Sequence, residues 1–384
     1  MANLLISGAS GFIGSWLTAT LSRQGHSLYL LLRQPGQLPA LRAQCQARGG
    51  NPAHLHALAG DLQHPGLGLD EPPLLARGIS QIIHLGAQFA WGLPREQAER
   101  CNVAGSLALT QLASRLQARL LLVGGFMLGN PAHLAELGID PQHPAHSDWD
   151  RLYRRAGAYE ASKLQAHYQS CALARQLQVP YNVVHPGTLC GHSQSGHLNP
   201  SQPLYELLDN LAQGRLHGIP GSPAHWLPLI SVDLLVALLA SLVERPLGNG
   251  SELLALDPHS PSLGELLALL AEELDVAAPS RYVPVGLLAA LLRLPGAERL
   301  LHSRRESLAF IRRERYDCTP LQAELQARQL VWPDLRQALR ASARHYRDSR
   351  SQAAQCSDTG SRHGRMRAPD AATDSPHERF DPTA

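Results

Sequence analysis

The run NLLISGASGFIG, residues 3–14, decides the fold. An apolar stretch stops at Ser7, glycines fall at Gly8, Gly11 and Gly14, and apolar residues then recur at helical spacing through IGSWLTATLSRQ. Each glycine answers a separate backbone demand: a tight turn, close approach of a pyrophosphate to the amides opening a helix, and close packing of that helix on the strand. The spacing therefore predicts a strand, a turn and a helix that cradle a dinucleotide, with Gly8, Ser10, Gly11, Phe12, Ile13 and Gly14 as its contacts.

Working outward, five further apolar runs follow the first: SLYLLLR (27–33), LHALAGD (55–61), QIIHLGA (81–87), RLLLVGG (119–125) and YNVVHPG (181–187). Helical patterns such as NVAGSLALTQLASRL separate them, and the runs are apolar almost throughout, as strands covered on both faces should be. The expected fold is α/β, a Rossmann-type doubly wound parallel sheet with a smaller C-terminal substrate lobe. Residues 1–190 form the dinucleotide-binding domain, to which 226–245 return. Residues 191–225 and 246–347 form the lobe. From 348 to 384 large apolar residues almost vanish, which predicts a disordered tail.

Composition narrows the function. The 384 residues are 44% hydrophobic and 17% charged with a formal net charge of +2, so no basic field supports nucleic-acid binding. The most apolar stretch, LPLISVDLLVALLASLVERP, carries Asp233 and is read as core, not as a membrane span. The six cysteines show neither paired nor metal-type spacing, and no charged-then-apolar leader precedes the first strand. A cytoplasmic protein is expected. The 19 histidines offer no helix-borne pair at ligand spacing, so no metal is expected, and His167 and Cys190 are read as packing groups.

Two side-chain choices point to the cofactor and the chemistry. The second strand ends in Arg33 with no carboxylate near, which suits a ribose 2′-phosphate and favours NADP(H) over NAD(H). Further along, Tyr159 and Lys163 in AYEASKLQ stand at i and i+4, on one face of a helix. A phenol of pKa about 10 is a weak acid–base catalyst at neutral pH, and a nearby ammonium is expected to bring it toward the working range. Lys163 is the only lysine among 34 basic residues, the rest being arginine. A compact ammonium that both tunes the phenol and holds a ribose cannot be replaced by a planar fork.

These motifs together resemble an extended or atypical short-chain dehydrogenase/reductase, in the NAD-dependent epimerase/dehydratase superfamily, over nearly the whole chain up to the tail. The resemblance implies cofactor contacts at Asp61 and Leu62 of GDL, at Leu85, Gly86 and Ala87 of HLGA, at Asn102 of NVAGS, and at Pro186 and Gly187 of HPG. Tyr159 and Lys163 would be its catalytic residues and would also touch the cofactor. SVD at 231–233 is similar to the family's return to the sheet. Two positions depart from the pattern: Gly124 stands where a Ser or Thr would bond the substrate carbonyl, and His185 where Arg is usual. A water in the space of the missing side chain, or the substrate itself, is the expected substitute.

HPGTLCGHSQSGHLNPSQPL (185–204) is most similar to the corresponding segment of the thioester reductase-like branch, with Gly191, Ser193, Gly196 and Asn199 at matching places and His192 and Ser195 departing. The resemblance implies a reductase of a carbonyl or acyl thioester, acting on a small-molecule or carrier-bound acyl substrate, with a homodimer as one option. The lobe's leucines, prolines and Trp226 favour a mostly apolar substrate. Two other classes stay open: an epimerase or dehydratase with bound NAD, and a non-catalytic NADP(H)-binding regulator, the latter because of Gly124.

Overall fold

Eleven strands form in the computed structural model, which describes residues 1–90, 92–292, 308 and 311–363. They are β1 (Asn3–Ser7), β2 (Ser27–Leu32), β3 (Leu55–Ala59), β4 (Ile79–His84), β5 (Arg119–Val123), β6 (Tyr181–Pro186), β7 (Thr188–Cys190), β8 (Ile219–Pro220), β9 (Leu229–Ser231), β10 (Glu252–Ala255) and β11 (Tyr282–Val283). Seven make one sheet in the order β10-β6-β5-β4-β1-β2-β3, and every pairing in it is parallel. The order reverses between β1 and β4. Ligands of open α/β sheets bind outside the carboxyl ends of the strands at such a point.

Burial explains why the strand runs are apolar almost throughout. Leu4 and Ile6 of β1 enter the core on one face of the sheet, Leu5 enters the core on the other, and all three are fully buried. Helix Phe12–Arg23 contributes Leu17 and Leu21 to the first face and packs there against helix Val232–Glu244. Helices Gly105–Arg115 and Ala158–Gln176 cover the second, through Leu109, Leu112, Cys171 and Ala174.

Two features of the expected organisation change. The six predicted strands form, but β10 is a seventh in the sheet, drawn from a segment read as lobe. The predicted tail starts too early. Helix Leu335–His363 buries Leu335, Ala338, Leu339, Ala343 and Tyr346 in the main core, and past residue 348 Arg350 still pairs with Asp209 at 2.7 Å. Ion pairs of Arg340 and Arg344 with Glu272 and Glu273 fasten the helix to helix Leu263–Leu274, an anchor that apolar content alone does not register. Residues 364–384 of the expected tail lie outside the described residues. Among the described residues no helix is long and apolar enough to cross a membrane.

Candidate active site

The glycine turn leaves β1 at the switch point. Gly8 takes φ +75°, and a Cβ there would stand 2.7 Å from the Gly86 backbone nitrogen. One on Gly14 would stand 2.7 Å from Ala9 Cα and overlap the Gly8 carbonyl oxygen. Gly11 precedes helix Phe12–Arg23 and no side chain caps it, so the first-turn N–H groups are left for a ligand. Orphan amides at the positive end of a helix dipole, behind backbone stripped of side chains, fit a pyrophosphate.

Two adjoining cavities share Gly8, Gly11, Leu85, Ala87 and Phe89 on their walls. The larger, 760 Å³, takes in Ser10, Arg33, Asp61, Leu62 and Gly86. The smaller, 350 Å³, takes in Phe12, Ile13, Gly14, Tyr159, Lys163, Pro186 and Gly187. Arg33 is exposed at the end of β2, while Asp61 turns one carboxylate oxygen to the Gln63 backbone N–H at 3.0 Å.

Asn102 is the predicted contact that neither wall includes. It sits in a π-helical turn, Glu99–Ala104, where its Oδ1 accepts from Gln88 N at 2.7 Å and its Nδ2 donates to Ser162 Oγ at 2.9 Å. It joins the loop after β4 to the helix that carries the tyrosine. His84, at the end of β4, plays a similar part between Ser7 and Ser106, at 2.6 and 2.8 Å. Burial and the nearby Lys163 charge push it down to about 3, which keeps it neutral.

Helix Ala158–Gln176 places Tyr159 and Lys163 on the wall of the smaller cavity, as their spacing requires. Lys163 Nζ donates to the Val123 carbonyl oxygen at 2.9 Å, so the ammonium is held at the carboxyl end of β5. Burial lowers its pKa to about 8. The expected tuning of the phenol runs the other way: burial, followed by the Glu160 charge, raises Tyr159 to about 12. The phenol keeps its proton at neutral pH.

Gly124 and His185 turn out to be one feature. A Cβ on Gly124 would overlap His185 Nδ1 and stand 2.8 Å from Cε1, so the imidazole fills the place of the missing side chain. The His185 Nε2 lies 2.8 Å from Glu252 of β10, and His167 Nε2 lies 3.5 Å from the same oxygen. Burial pushes the Glu252 carboxyl up, but the bond from His185, with His167 and Arg175, holds it below the usual carboxylate range. His167 is lowered to about 3, first by burial. The three donor groups lie within 4.8 Å of one another, a convergence across a helix and two strands that helix-borne spacing could not reveal.

The smaller cavity also has walls that sequence reasoning did not single out. Phe89, Phe126, Met127 and Leu189 make them apolar, and Thr188 adds a hydroxyl. No periodicity marks these residues. Of the described residues of the expected lobe, only Ser201, Gln202 and Pro203 reach this wall. Trp226 does not: it is 1% exposed and donates from Nε1 to the Glu314 carbonyl at 2.8 Å.

A model of an NAD-binding family described as Male sterility protein matches residues 6–239. Among curated proteins, a non-canonical nonribosomal peptide synthetase of Aspergillus hancockii is 24% identical over 70% of this chain and 28% of its own length. An aldehyde reductase of Aspergillus flavus is 26% identical over 62% of this chain and 24% of its own length. The chain thus spans about a quarter of these relatives. Among solved structures, the terminal R domain from the myxalamid PKS-NRPS biosynthetic pathway superposes with a TM-score of 0.70 at 22% identity, covering 90% of this chain and 89% of that one.

Proposed function

From the premise that this chain belongs to the Male sterility protein family, as an extended short-chain dehydrogenase/reductase on the thioester reductase-like branch, we propose that it reduces an apolar acyl thioester or aldehyde with NADP(H). The observation that carries the reading is the shared wall: Tyr159 and Lys163 face one cavity with the glycine turn, and the rest of that cavity is largely apolar. A reduced nicotinamide dinucleotide, when bound, supplies the hydride. Gly8, Gly11 and Gly14 with the helix amides would hold its pyrophosphate, and Lys163 its ribose.

Tyr159, protonated well past neutral pH, acts as the proton donor. The carbonyl carbon gains the hydride and the oxygen gains the phenolic proton. With a thioester, the C–S bond then breaks, releasing aldehyde and thiol; with an aldehyde, the product is the alcohol. Phe89, Phe126, Met127 and Leu189 suit an alkyl or ring group beside the reacting carbon. Curated relatives that include peptide synthetases support a carrier-bound acyl group as the natural form of the substrate. Arg33, at the end of β2 on the larger cavity, supports NADP(H) through charge-assisted bonds to a 2′-phosphate.

The test is a titration of NADPH and NADH against the protein, followed by octanal and an octanoyl thioester on the same preparation. NADPH should bind more tightly, one of the two substrates should oxidise it, and Tyr159→Phe should abolish that turnover while leaving NADPH bound. Failure of both dinucleotides to bind, or full activity in Tyr159→Phe, overturns the proposal. Tight binding with no oxidation by either substrate would favour the regulator.

A further inference from the structure

With the carbonyl-bonding hydroxyl absent at Gly124 and its place taken by His185, the cavity wall must be searched for another donor. Its side-chain hydroxyls, among the described residues, belong to Tyr159, Thr188 and Ser201. Tyr159 is the proton donor of the reductase reading, and Ser201 is exposed and donates to Asn199 Oδ1 at 2.8 Å. Thr188 differs. It is 5% exposed, and its Oγ1 has no hydrogen-bond partner. Of the buried unpartnered side-chain atoms among the described residues, this is the one that belongs to a residue on the smaller cavity's wall. Native interiors leave few such atoms unmatched, so an orphan on a residue of the cavity wall calls for a partner.

We infer that Thr188 supplies the hydroxyl that bonds the substrate carbonyl, in place of the residue lost at position 124. Its backbone makes it suitable. Thr188 opens β7, donates its N–H to the Pro228 carbonyl at 2.7 Å and pairs in register with Leu229, so its Cα is fixed from a second strand. A β-branched side chain is restricted at χ1, so the hydroxyl is preorganised once the backbone is. The neighbouring Gly187 permits that approach, since a Cβ there would stand 3.0 Å from the Pro228 carbonyl oxygen. In the step itself the Thr188 hydroxyl gives up no proton: it donates a hydrogen bond to the oxygen as that oxygen gains charge, and Tyr159 delivers the proton. This assignment rests on the reductase reading, and its test is separable from it.

Thr188→Val keeps shape and removes the hydroxyl; Thr188→Ser keeps the hydroxyl; Thr188→Ala guards against a misfit of the valine. Binding of octanamide, an unreactive carbonyl probe, to the NADPH-loaded protein is measured by calorimetry, alongside NADPH affinity and turnover of whichever substrate the parent accepts. Expected are a loss of about tenfold or more in octanamide affinity and about 10² to 10³ in kcat for Val and Ala, retention in Ser, and unchanged NADPH affinity in all three. Equal octanamide binding by parent and Val variant overturns the assignment, as does a loss in Val that Ser shares, or one matched by an equal loss in NADPH affinity. If the parent turns over neither substrate, the reductase reading fails on that result, while the octanamide series still decides whether Thr188 bonds a carbonyl.

Discussion

Restoring the family's hydroxyl at position 124 should damage this protein. In Gly124→Ser the new Cβ would overlap His185 Nδ1 and stand 2.8 Å from Cε1, where carbon–carbon contacts settle at about 3.5 Å, so the imidazole must retreat by about 0.7 Å or more. It has little room to do so. His185 is 3% exposed, with Nε2 tied to Glu252 at 2.8 Å. Overpacking of this kind costs about 1–3 kcal/mol, and loss of a hydrogen bond to a charged carboxylate about 1.5–3 kcal/mol more. The two together come to about 2.5–6 kcal/mol, which lowers the melting temperature of a chain this size by about 3–8 °C.

Thermal unfolding of Gly124→Ser, His185→Ala and the double variant checks this reasoning as a cycle. His185→Ala opens the space that the serine needs, so the double variant should be more stable than additivity of the single changes allows, by about 1–3 kcal/mol. Gly124 does not adopt a left-handed backbone, so sterics alone carry the effect. A Gly124→Ser variant that melts with the parent, or a cycle that closes additively, would refute the claim that the two departures are one feature.

Two further predictions concern pH and the C-terminal helix. Lys163 falls from 10.5 to about 8 in the folded chain, so between those values the unfolded state binds more protons and stability without cofactor should rise with pH through that window. Reductive turnover should move oppositely, falling as pH passes about 8 because the ammonium is lost while Tyr159, at about 12, still holds its proton; a pH–rate profile flat to pH 10 would contradict this. A stop after Asp334 removes Leu335, Leu339 and Tyr346 from the core, at about 2 kcal/mol each, and with them much of the stability of an ordinary domain. That truncation should yield unfolded or aggregated protein, and a circular dichroism melt that matches the parent would contradict this.

The parts of the site that were legible in the sequence are those where one local stretch meets a demand of its own. Gly8 and Gly14 must be glycine because neighbouring backbone fills the space of any Cβ, and Tyr159 and Lys163 share a wall because they are one helical turn apart. The first six strands declared themselves through largely apolar runs, whereas β10 escaped notice in a short segment with an exposed Glu252 at one end. Phe89, Met127, Leu189 and Thr188 follow no period, since what gathers them is the curvature of several loops around one cavity. Gly124 and His185 show the limit most clearly. Read along the chain they are two losses, and each alone argues for a weakened site. Across β5 and β6 they are a single exchange of volume, in which an imidazole occupies what a hydroxyl would need. An exchange of that kind keeps the wall beside Tyr159 and Lys163 packed, so the glycine at 124 is by itself no argument for a collapsed cavity.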